Sequence, residues 1–215
     1  MSLPCLIYCG VLDAELRHLV DAGRLAAELR PVDAGLCTDP RALGQAVLTQ
    51  LAGWPRRPAT LVYGYCWPGI DALAARYGAR RVPASNCVAM LLGEAEYARA
   101  LADGCFFLLP QWAGQWRAVF EERLGLAPAV APDLLGAELR QAVYLDTGVV
   151  EYPAESLAGF AAYSGLPVTR RAIGLGRLLR LLPEACASVE TALAAPPDRP
   201  DYPVHPCSAT PVGVC

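Results

Sequence analysis

Short apolar runs alternate with longer amphipathic segments along most of the chain. The short runs predict buried strands at 3–9, 27–33, 60–65, 81–83, 105–109 and 143–145, with a further short strand at 168–173. Between them, apolar residues at helical spacing predict helices at 12–22, 40–51, 68–77, 86–102, 111–124, 132–139, 154–164 and 174–182. This alternation predicts an α/β fold with a mostly parallel, Rossmann-like sheet that carries helices on both faces.

The last part of the chain has a different composition. Six prolines lie between Pro196 and Pro211, and apolar residues are few there. A segment of this kind cannot bury enough apolar surface to fold by itself. We therefore expect one α/β domain over residues 1–193 and an extended or disordered tail over 194–215.

Composition and charge narrow the possible partners. The chain has 215 residues, 54% of them hydrophobic, and a net charge of -3. That size and apolar content suit one domain with a substantial core. No basic stripe is present, so we expect no nucleic-acid partner. The paired arginines are isolated from one another and are expected to be solvated: Arg56-Arg57, Arg80-Arg81 and Arg170-Arg171.

The sequence also bears on location. Charged residues or glycines interrupt every apolar stretch before the ~20 residues that a bilayer span needs, and the first residues lack the basic region of a signal peptide. We therefore expect a cytoplasmic protein without membrane contact, in a compartment that keeps thiols reduced. The chain has nine cysteines, which there are more typical of ligands, reactive thiols or core residues than of disulfides.

Four cysteines each follow a predicted strand, at Cys9, Cys37, Cys66 and Cys87. If these strands are parallel, all four thiols emerge at the same edge of one sheet, where open α/β sheets place their sites. No close C-x-x-C pair occurs among them, so the ligands of a shared site would come one from each strand end. Such dispersed cysteines suit a cluster held in a cleft better than a structural zinc ion.

Helix starts add to this interpretation. Cys66 precedes a predicted helix and Cys87 lies in the first turn of another. A helix N-terminus favours thiolate, the form that binds metal. The alternative is that each cysteine packs in the core as a small hydrophobic residue.

The other five cysteines are expected to play different parts. Cys5, Cys105 and Cys186 fall within predicted strands and a helix and are expected to be packing residues. Cys207 and Cys215 lie in the tail near His205, where a metal-carrying or redox tail is the alternative to a passive one.

Aromatic and acidic residues suggest further candidates. Tyr63, Trp67 and Trp112 could line a pocket for a planar cofactor, and the alternative is aromatic core packing. Asp146 begins an Asp-Thr-Gly segment at the end of a predicted strand. It could serve as an acid or base or bind a cofactor, and the alternative is an Asx turn that closes the strand.

Five segments, taken in order, carry a resemblance to a known family. They are Tyr8-Cys9-Gly10-Val11-Leu12, Tyr63-Gly64-Tyr65-Cys66 with Gly69, Asn86-Cys87-Val88-Ala89-Met90-Leu91-Leu92-Gly93 with Tyr97, Phe106-Phe107-Leu108-Leu109-Pro110-Gln111-Trp112, and Tyr144-Leu145-Asp146-Thr147-Gly148. Over about residues 3–182 the chain resembles domain-of-unknown-function family 1638. The family has no established activity, but its members often accompany corrinoid-dependent methyltransferases. The resemblance thus implies a corrinoid or methyltransferase protein as a partner.

The chain departs from the family pattern at two places. Leu36-Cys37 stands where the family typically has Leu-His, and Ser85-Asn86-Cys87 where it has His-Asp-Cys. A metal ligand tolerates exchange of histidine for cysteine, because both bind borderline metals. The resemblance therefore favours Cys37 as a ligand, whereas the loss of histidine at position 85 argues against proton transfer there.

Three hypotheses follow. The first is an iron–sulfur protein that uses Cys9, Cys37, Cys66 and Cys87, with a redox partner or a role in cluster handling or one-carbon metabolism. The second is a zinc-thiolate methyltransferase at the same cysteines. The third is a corrinoid- or tetrapyrrole-binding module in which the cysteines are incidental, with a cofactor-binding set of Tyr63, Trp67, Trp112 and Asp146.

Overall fold

Strands and helices alternate through the part of the chain that the structure describes. The structure, a computed structural model, describes residues 3–54 and 59–187. The strands are β1 (Cys5–Cys9), β2 (Glu28–Val32), β3 (Ala59–Val62), β4 (Arg80–Arg81), β5 (Cys105–Leu108), β6 (Gln141–Asp146) and β7 (Val168–Ala172). The α-helices are α1 (Asp13–Asp21), α2 (Pro40–Ala52), α3 (Ile70–Arg76), α4 (Cys87–Leu92), α5 (Glu94–Ala102), α6 (Pro110–Arg117), α7 (Ala131–Gly136), α8 (Ala154–Ser164) and α9 (Gly176–Ala187). The predicted α/β class is confirmed.

The strands form two parallel sheets, where the sequence predicted one. The first sheet has the order β2-β1-β3-β4 and the second the order β5-β6-β7. β4 is only two residues long and ends the first sheet. The chain then passes through two helices before β5, which pairs with β6. The division depends on strand pairing between distant segments, which hydrophobic periodicity does not specify.

The two sheets share one hydrophobic core, and their carboxyl ends meet. α6 begins at the carboxyl end of β5 and contacts the 3-10 turn Gly10–Leu12, which follows β1. A hydrogen bond joins the same regions, because Thr147 after β6 donates to Glu15 in α1 over 2.9 Å. α9 returns to the first sheet and packs on β3 and α4. One contiguous cluster of buried side chains therefore spans both sheets, as expected of a single domain.

Local sequence explains several helix boundaries. Asp39 caps α2 by accepting hydrogen bonds from two backbone N–H groups, and Pro40 occupies the first turn. Asn86 caps α4 in the same way, through Ala89 N–H at 2.8 Å. The helix predicted over 86–102 is instead two helices, because Gly93 takes a φ of 99° between them. The helix predicted over 111–124 is present in two parts. Its first part is α6, and its second part is a π-helical segment, Ala118–Arg123.

Two further observations concern the expectations for location and tail. Among residues 3–54 and 59–187, no helix combines the length and apolar character needed to cross a bilayer. The tail predicted over 194–215 lies outside the described residues, as do Arg56, Arg57, His205 and the two tail cysteines.

Candidate functional site

The four candidate cysteines all follow strands of the first sheet. Cys9 is the last residue of β1, and Cys37 lies in the 3-10 turn Ala34–Thr38 after β2. Cys66 follows β3, and Cys87 is the first residue of α4, after β4. We call these four residues the thiol edge. The sheet topology that the sequence analysis assumed for them is confirmed, whereas their role as metal ligands stays a prediction.

A glycine brings the first two thiols together. A side chain on Gly10 would lie 3.0 Å from the Val32 carbonyl oxygen and 3.2 Å from the Ala34 amide nitrogen. Glycine therefore lets the end of β1 approach the end of β2 without the small backbone shift that a larger residue would need. Beside this contact the Sγ atoms of Cys9 and Cys37 are 3.4 Å apart. That is well beyond the ~2.05 Å of a disulfide bond, so the two cysteines are adjacent but not bonded to each other.

A second glycine joins the segments that carry the other two thiols. A side chain on Gly64 would overlap the carbonyl group of Ser85. The next residue, Tyr65, donates its backbone N–H to the same Ser85 carbonyl over 2.8 Å. The backbone before Cys66 therefore runs directly against the backbone before Cys87. Both cysteines are half-buried.

Arg81 links these two segments through hydrogen bonds. Its guanidinium donates to the backbone carbonyls of Tyr63, Val82 and Ala84 over 2.8–3.3 Å. It also pairs with Asp71 at 2.7 Å and stacks 3.8 Å from the centre of the Tyr65 ring. Its side chain is only 7% exposed.

The prediction that the arginine pairs are solvated is therefore wrong for Arg81. The physical reason is that three backbone carbonyls and the Asp71 carboxylate accept hydrogen bonds from its guanidinium, which offset the cost of burying the charge. The arginine pair in β7 differs less from expectation, because Arg170 and Arg171 are both about half exposed. Arg170 pairs with Asp146, and Arg171 pairs with Glu96.

Tyr63 directly follows β3, three residues before Cys66. Its residue surface is 1% exposed, and among the described residues its hydroxyl has no hydrogen-bond partner. Burial raises the pKa of Tyr63 well above its usual value, and the nearby thiols of Cys9, Cys37 and Cys66 raise it further. The hydroxyl is therefore protonated.

Trp67 packs against the ring of Tyr63. The two rings meet edge to face, with centroids 6.2 Å apart, and the Trp67 indole lies against α2 at Gly44. A shallow cavity of about 350 Å³ opens beside it, lined by residues 65–72, which include Cys66.

The other two predicted cofactor-binding residues lie elsewhere. Trp112 is buried in α6, in the core. Asp146 ends β6 in the second sheet, where it accepts hydrogen bonds from the Gly148 N–H at 2.9 Å and from Arg170 Nε at 2.7 Å. These bonds lower the pKa of Asp146. The structure thus shows the Asx turn that was the alternative for Asp146, and it does not join these two residues to Tyr63 and Trp67.

Sequence reasoning missed a buried acid that faces Asp146 and its loop. Glu15 in α1 is 1% exposed and accepts the hydrogen bond from Thr147. Burial raises its pKa, and its second oxygen, Oε2, has no partner among the described residues. The sequence did carry a signal of this burial, because Glu15 lies between Leu12 and Leu19 on the apolar face of the predicted helix. We call Glu15, Asp146 and Thr147 the carboxylate edge.

The remaining cysteines of the described side chains lie in the core, as predicted. Cys5 is fully buried in β1, and burial raises its pKa to about 11. Cys105 is buried in β5 and accepts a hydrogen bond from Gln141 Nε2 at 3.3 Å. The side chain of Cys186 is outside the described part of the chain.

The donor chemistry of the thiol edge fits a thiophilic metal in part. Cys9 and Cys37 form an adjacent pair of sulfur donors, and thiolate is the ligand that zinc and iron–sulfur centres prefer. Within residues 3–54 and 59–187, no three His, Cys, Asp or Glu side chains are grouped closely enough to hold a metal ion. The Cys9 and Cys37 thiols are therefore already adjacent. A set of four ligands would need the Cys66 and Cys87 segments to move closer to this pair.

Comparison with known proteins places the chain in a family. Neither the curated proteins nor the solved structures gave a match. The family model described as "Protein of unknown function (DUF1638)" matches residues 32–182, which is more than half of the chain. The matched range includes Cys37, Cys66 and Cys87 and begins after Cys9. The resemblance inferred from the sequence motifs is thereby confirmed over this range, and the chain belongs to the DUF1638 family.

Proposed function

We propose that this protein binds a metal centre at the thiol edge. The observation that carries the proposal is the 3.4 Å separation between the Sγ atoms of Cys9 and Cys37. Two thiolates that share one tetrahedral ion, each with a bond of about 2.3 Å, lie ~3.8 Å apart. Only a few tenths of an ångström of movement would therefore let both sulfurs bind the same ion.

The neighbouring segments support the proposal by supplying further thiols. The Gly64 and Ser85 contact keeps the backbone before Cys66 against the backbone before Cys87. The thiols of Cys9, Cys37 and Cys66 all raise the pKa of Tyr63. In this proposal the segments of Cys66 and Cys87 are the source of the remaining sulfurs.

An iron–sulfur cluster is the first candidate for that centre. Four cysteines are the usual ligand set of such clusters, and a [2Fe–2S] cluster places two thiolates on each iron. The Cys9 and Cys37 pair suits one iron of that arrangement, and Cys66 with Cys87 would serve the other. Such a centre would act in electron transfer or in cluster handling. A zinc ion held by the same thiols is the second candidate, supported by the same sulfur separation, and could activate a thiol for methyl transfer.

Metal analysis of anaerobically purified protein tests the proposal. We expect iron and acid-labile sulfide in matching amounts if the centre is a cluster, and zinc without sulfide if it is a single ion. Reconstitution with iron and sulfide, and separately with zinc, covers loss during purification. A protein that retains neither metal under any of these conditions would contradict the proposal.

Paired cysteine variants locate the site. Cys37→Ser removes one sulfur of the adjacent pair, and we expect metal content to fall to a small fraction of the wild-type value. Cys105→Ser is the matched control, because Cys105 is buried in the second sheet with Gln141 as its neighbour. Metal loss in both variants, or in neither, would show that the thiol edge is not the binding site.

A further inference from the structure

The thiols of Cys9 and Cys37 contact each other directly. Their Sγ atoms are 3.4 Å apart, close enough for one thiol to donate a hydrogen bond to the other. A disulfide bond joins its sulfurs at ~2.05 Å, so these two would have to approach by about 1.4 Å. The pair is thus a small movement away from a covalent bond.

The two thiols lie on elements that differ in how firmly the backbone holds them. Cys9 ends β1, which pairs with β2 on one side and β3 on the other. Cys37 lies in the 3-10 turn Ala34–Thr38, and such short turns have poorer hydrogen-bond geometry than an α-helix. A short turn opens and shifts more easily than a strand that is paired on both sides. We therefore expect the turn that carries Cys37 to supply the movement.

Exposure assigns different roles to the two thiols. Cys9 is 4% exposed, whereas Cys37 is partly exposed. A small oxidant in solution therefore reaches Cys37 first, and the Cys9 thiol is already in contact with the sulfur that has reacted. Redox-active cysteines commonly have this arrangement, in which an accessible thiol lies beside a second thiol that resolves its oxidised form.

We propose that Cys9 and Cys37 form a redox-active pair, which hydrogen peroxide converts to a disulfide. The Cys37 thiolate attacks one peroxide oxygen, the O–O bond breaks, and the hydroxide that leaves takes up the thiol proton to give water. The sulfenic acid now at Cys37 is attacked by the Cys9 thiolate, so that the S–S bond forms, the S–O bond breaks and a second water leaves. Two electrons thus pass from the two thiols to the peroxide, and a dithiol reductant reverses the change by thiol–disulfide exchange.

This inference goes beyond the metal centre proposed above and does not depend on it, because the pair needs only its own two sulfurs. The bond would tie the end of β1 to the turn after β2, between positions that lie 28 residues apart in the chain. A cross-link over that separation restricts the unfolded chain, so we expect the melting temperature to rise by about 5–10 °C. The bond would also withdraw both sulfurs from any metal ion.

Oxidation of the wild-type protein tests the proposal without any substitution. The full chain is reduced, freed of metal with a chelator and treated with a small excess of hydrogen peroxide. We expect peptide mapping to show a disulfide between Cys9 and Cys37. Trypsin leaves Cys5 and Cys9 together in the peptide that ends at Arg17, so fragmentation between them identifies the partner of Cys37. If no bond joins Cys9 to Cys37, the proposal is overturned, whichever other cysteines react.

Substitution of each cysteine tests the roles of the two thiols. In Cys9→Ser the sulfenic acid at Cys37 has no second thiol to resolve it, so we expect dimedone, which labels sulfenic acids, to modify Cys37 several-fold more than in the wild-type protein. In Cys37→Ser we expect little label at Cys9, because Cys9 is buried. Cys105→Ser is the matched control and is expected to form the Cys9–Cys37 bond as the wild-type protein does. Equal labelling of Cys37 in Cys9→Ser and wild-type protein would overturn the pairing of the two thiols.

Metal analysis of the same preparations keeps this inference distinct from the proposed function. If the metal-free protein forms the Cys9–Cys37 bond but binds neither iron nor zinc, the redox pair stands and the metal centre is overturned. If the protein binds metal but its metal-free form gives no such bond with peroxide, the redox pair is overturned and the metal centre stands.

Discussion

The thiol edge and the carboxylate edge end two parallel sheets of the same chain but satisfy their polar groups differently. At the carboxylate edge, Asp146 has both a backbone N–H and the Arg170 guanidinium as partners. At the thiol edge, two sulfurs face each other and the Tyr63 hydroxyl has no partner among the described residues. The chain itself thus pairs the Asp146 carboxylate, although Glu15 Oε2 beside it has no partner among the described residues, whereas the thiol edge ends in two adjacent sulfurs.

The two edges also differ in how the chain assembles them. The thiol edge depends on close backbone approaches at Gly10 and Gly64, and the approach at Gly64 leaves no space for a side chain. The carboxylate edge depends on side-chain hydrogen bonds such as that from Thr147 to Glu15. Rigid backbone contacts are suited to placing ligands accurately, so substitutions in the two regions are expected to have effects of different size.

The largest expected effect comes from Gly64→Ala. The new methyl group would overlap the Ser85 carbonyl group, and backbone yields less easily than a flexible side chain. We expect the free energy of unfolding to fall by about 3 kcal/mol, with loss of metal binding, because the segments before Cys66 and Cys87 are forced apart. Urea denaturation, followed by circular dichroism, measures the stability.

Gly114→Ala is the control for that substitution. Gly114 lies within α6, and a side chain there would contact nothing within 4 Å. Alanine is the better helix former, so we expect this variant to gain roughly 0.5–1 kcal/mol. If the two variants had similar stability, the close backbone approach at Gly64 would be refuted.

Arg81→Met is expected to have the next largest effect. It keeps much of the side-chain volume but removes the donor shared by the carbonyls of Tyr63, Val82 and Ala84. Val82 keeps the hydrogen bond from the Ala84 N–H, but the loss of the other charge-assisted bonds is expected to cost about 2–3 kcal/mol. We also expect weaker metal binding, because Arg81 links the segments that precede Cys66 and Cys87. The measurement is urea denaturation together with a Zn²⁺ titration.

Arg170→Met gives the comparison at the carboxylate edge. The Arg170 side chain is 56% exposed, and Asp146 keeps its hydrogen bond from Gly148. The Asp146 carboxylate is only 5% exposed, so losing this charged donor is expected to cost about 1–2 kcal/mol, and we expect metal affinity to be unchanged. A loss of metal affinity here equal to that of Arg81→Met would mean that the two edges are not independent.

The sequence predicted the strands and the position of the four cysteines at their ends, because both depend on local patterns of residues. Apolar runs placed the strands, and each cysteine at a strand end followed from them, since parallel strands end at a common edge. The adjacency of Cys9 and Cys37 was therefore foreseeable. The split into two sheets was not, because the partner of β5 is decided by contacts between distant segments.

Burial of polar side chains was the weaker part of the prediction. Arg81 looked like an exposed charge because its partners are carbonyls from three different loop positions, which no pattern around residue 81 reveals. Tyr63 was identified as a pocket residue, but the pocket predicted with Trp112 and Asp146 required distances that only tertiary packing sets. Side chains that act through long-range contacts thus need the folded structure to be recognised.

The smallest expected effects concern the two acids near the end of β6, and they have opposite pH dependence. Burial raises the pKa of Glu15, so its contribution to stability is full below its ordinary pKa of about 4.3 and is lost as pH rises through the raised value. The hydrogen bonds from Gly148 and Arg170 lower the pKa of Asp146. Its contribution is therefore present above its ordinary pKa of about 3.9 and is lost as pH falls through the lowered value.

Glu15→Gln separates these two contributions. The amide oxygen can still accept from Thr147, but the buried site no longer has to hold a charge when the pH rises. We expect the variant to match the wild-type protein near pH 4 and to exceed it by about 1 kcal/mol at neutral pH, measured by urea denaturation across that range. Asp146→Asn is expected to show the opposite trend, with its deficit greatest above pH 4. Parallel pH profiles for the two variants would mean that the buried acid of α1 and the paired acid of β6 are in the same electrostatic environment, and the contrast within the carboxylate edge would be lost.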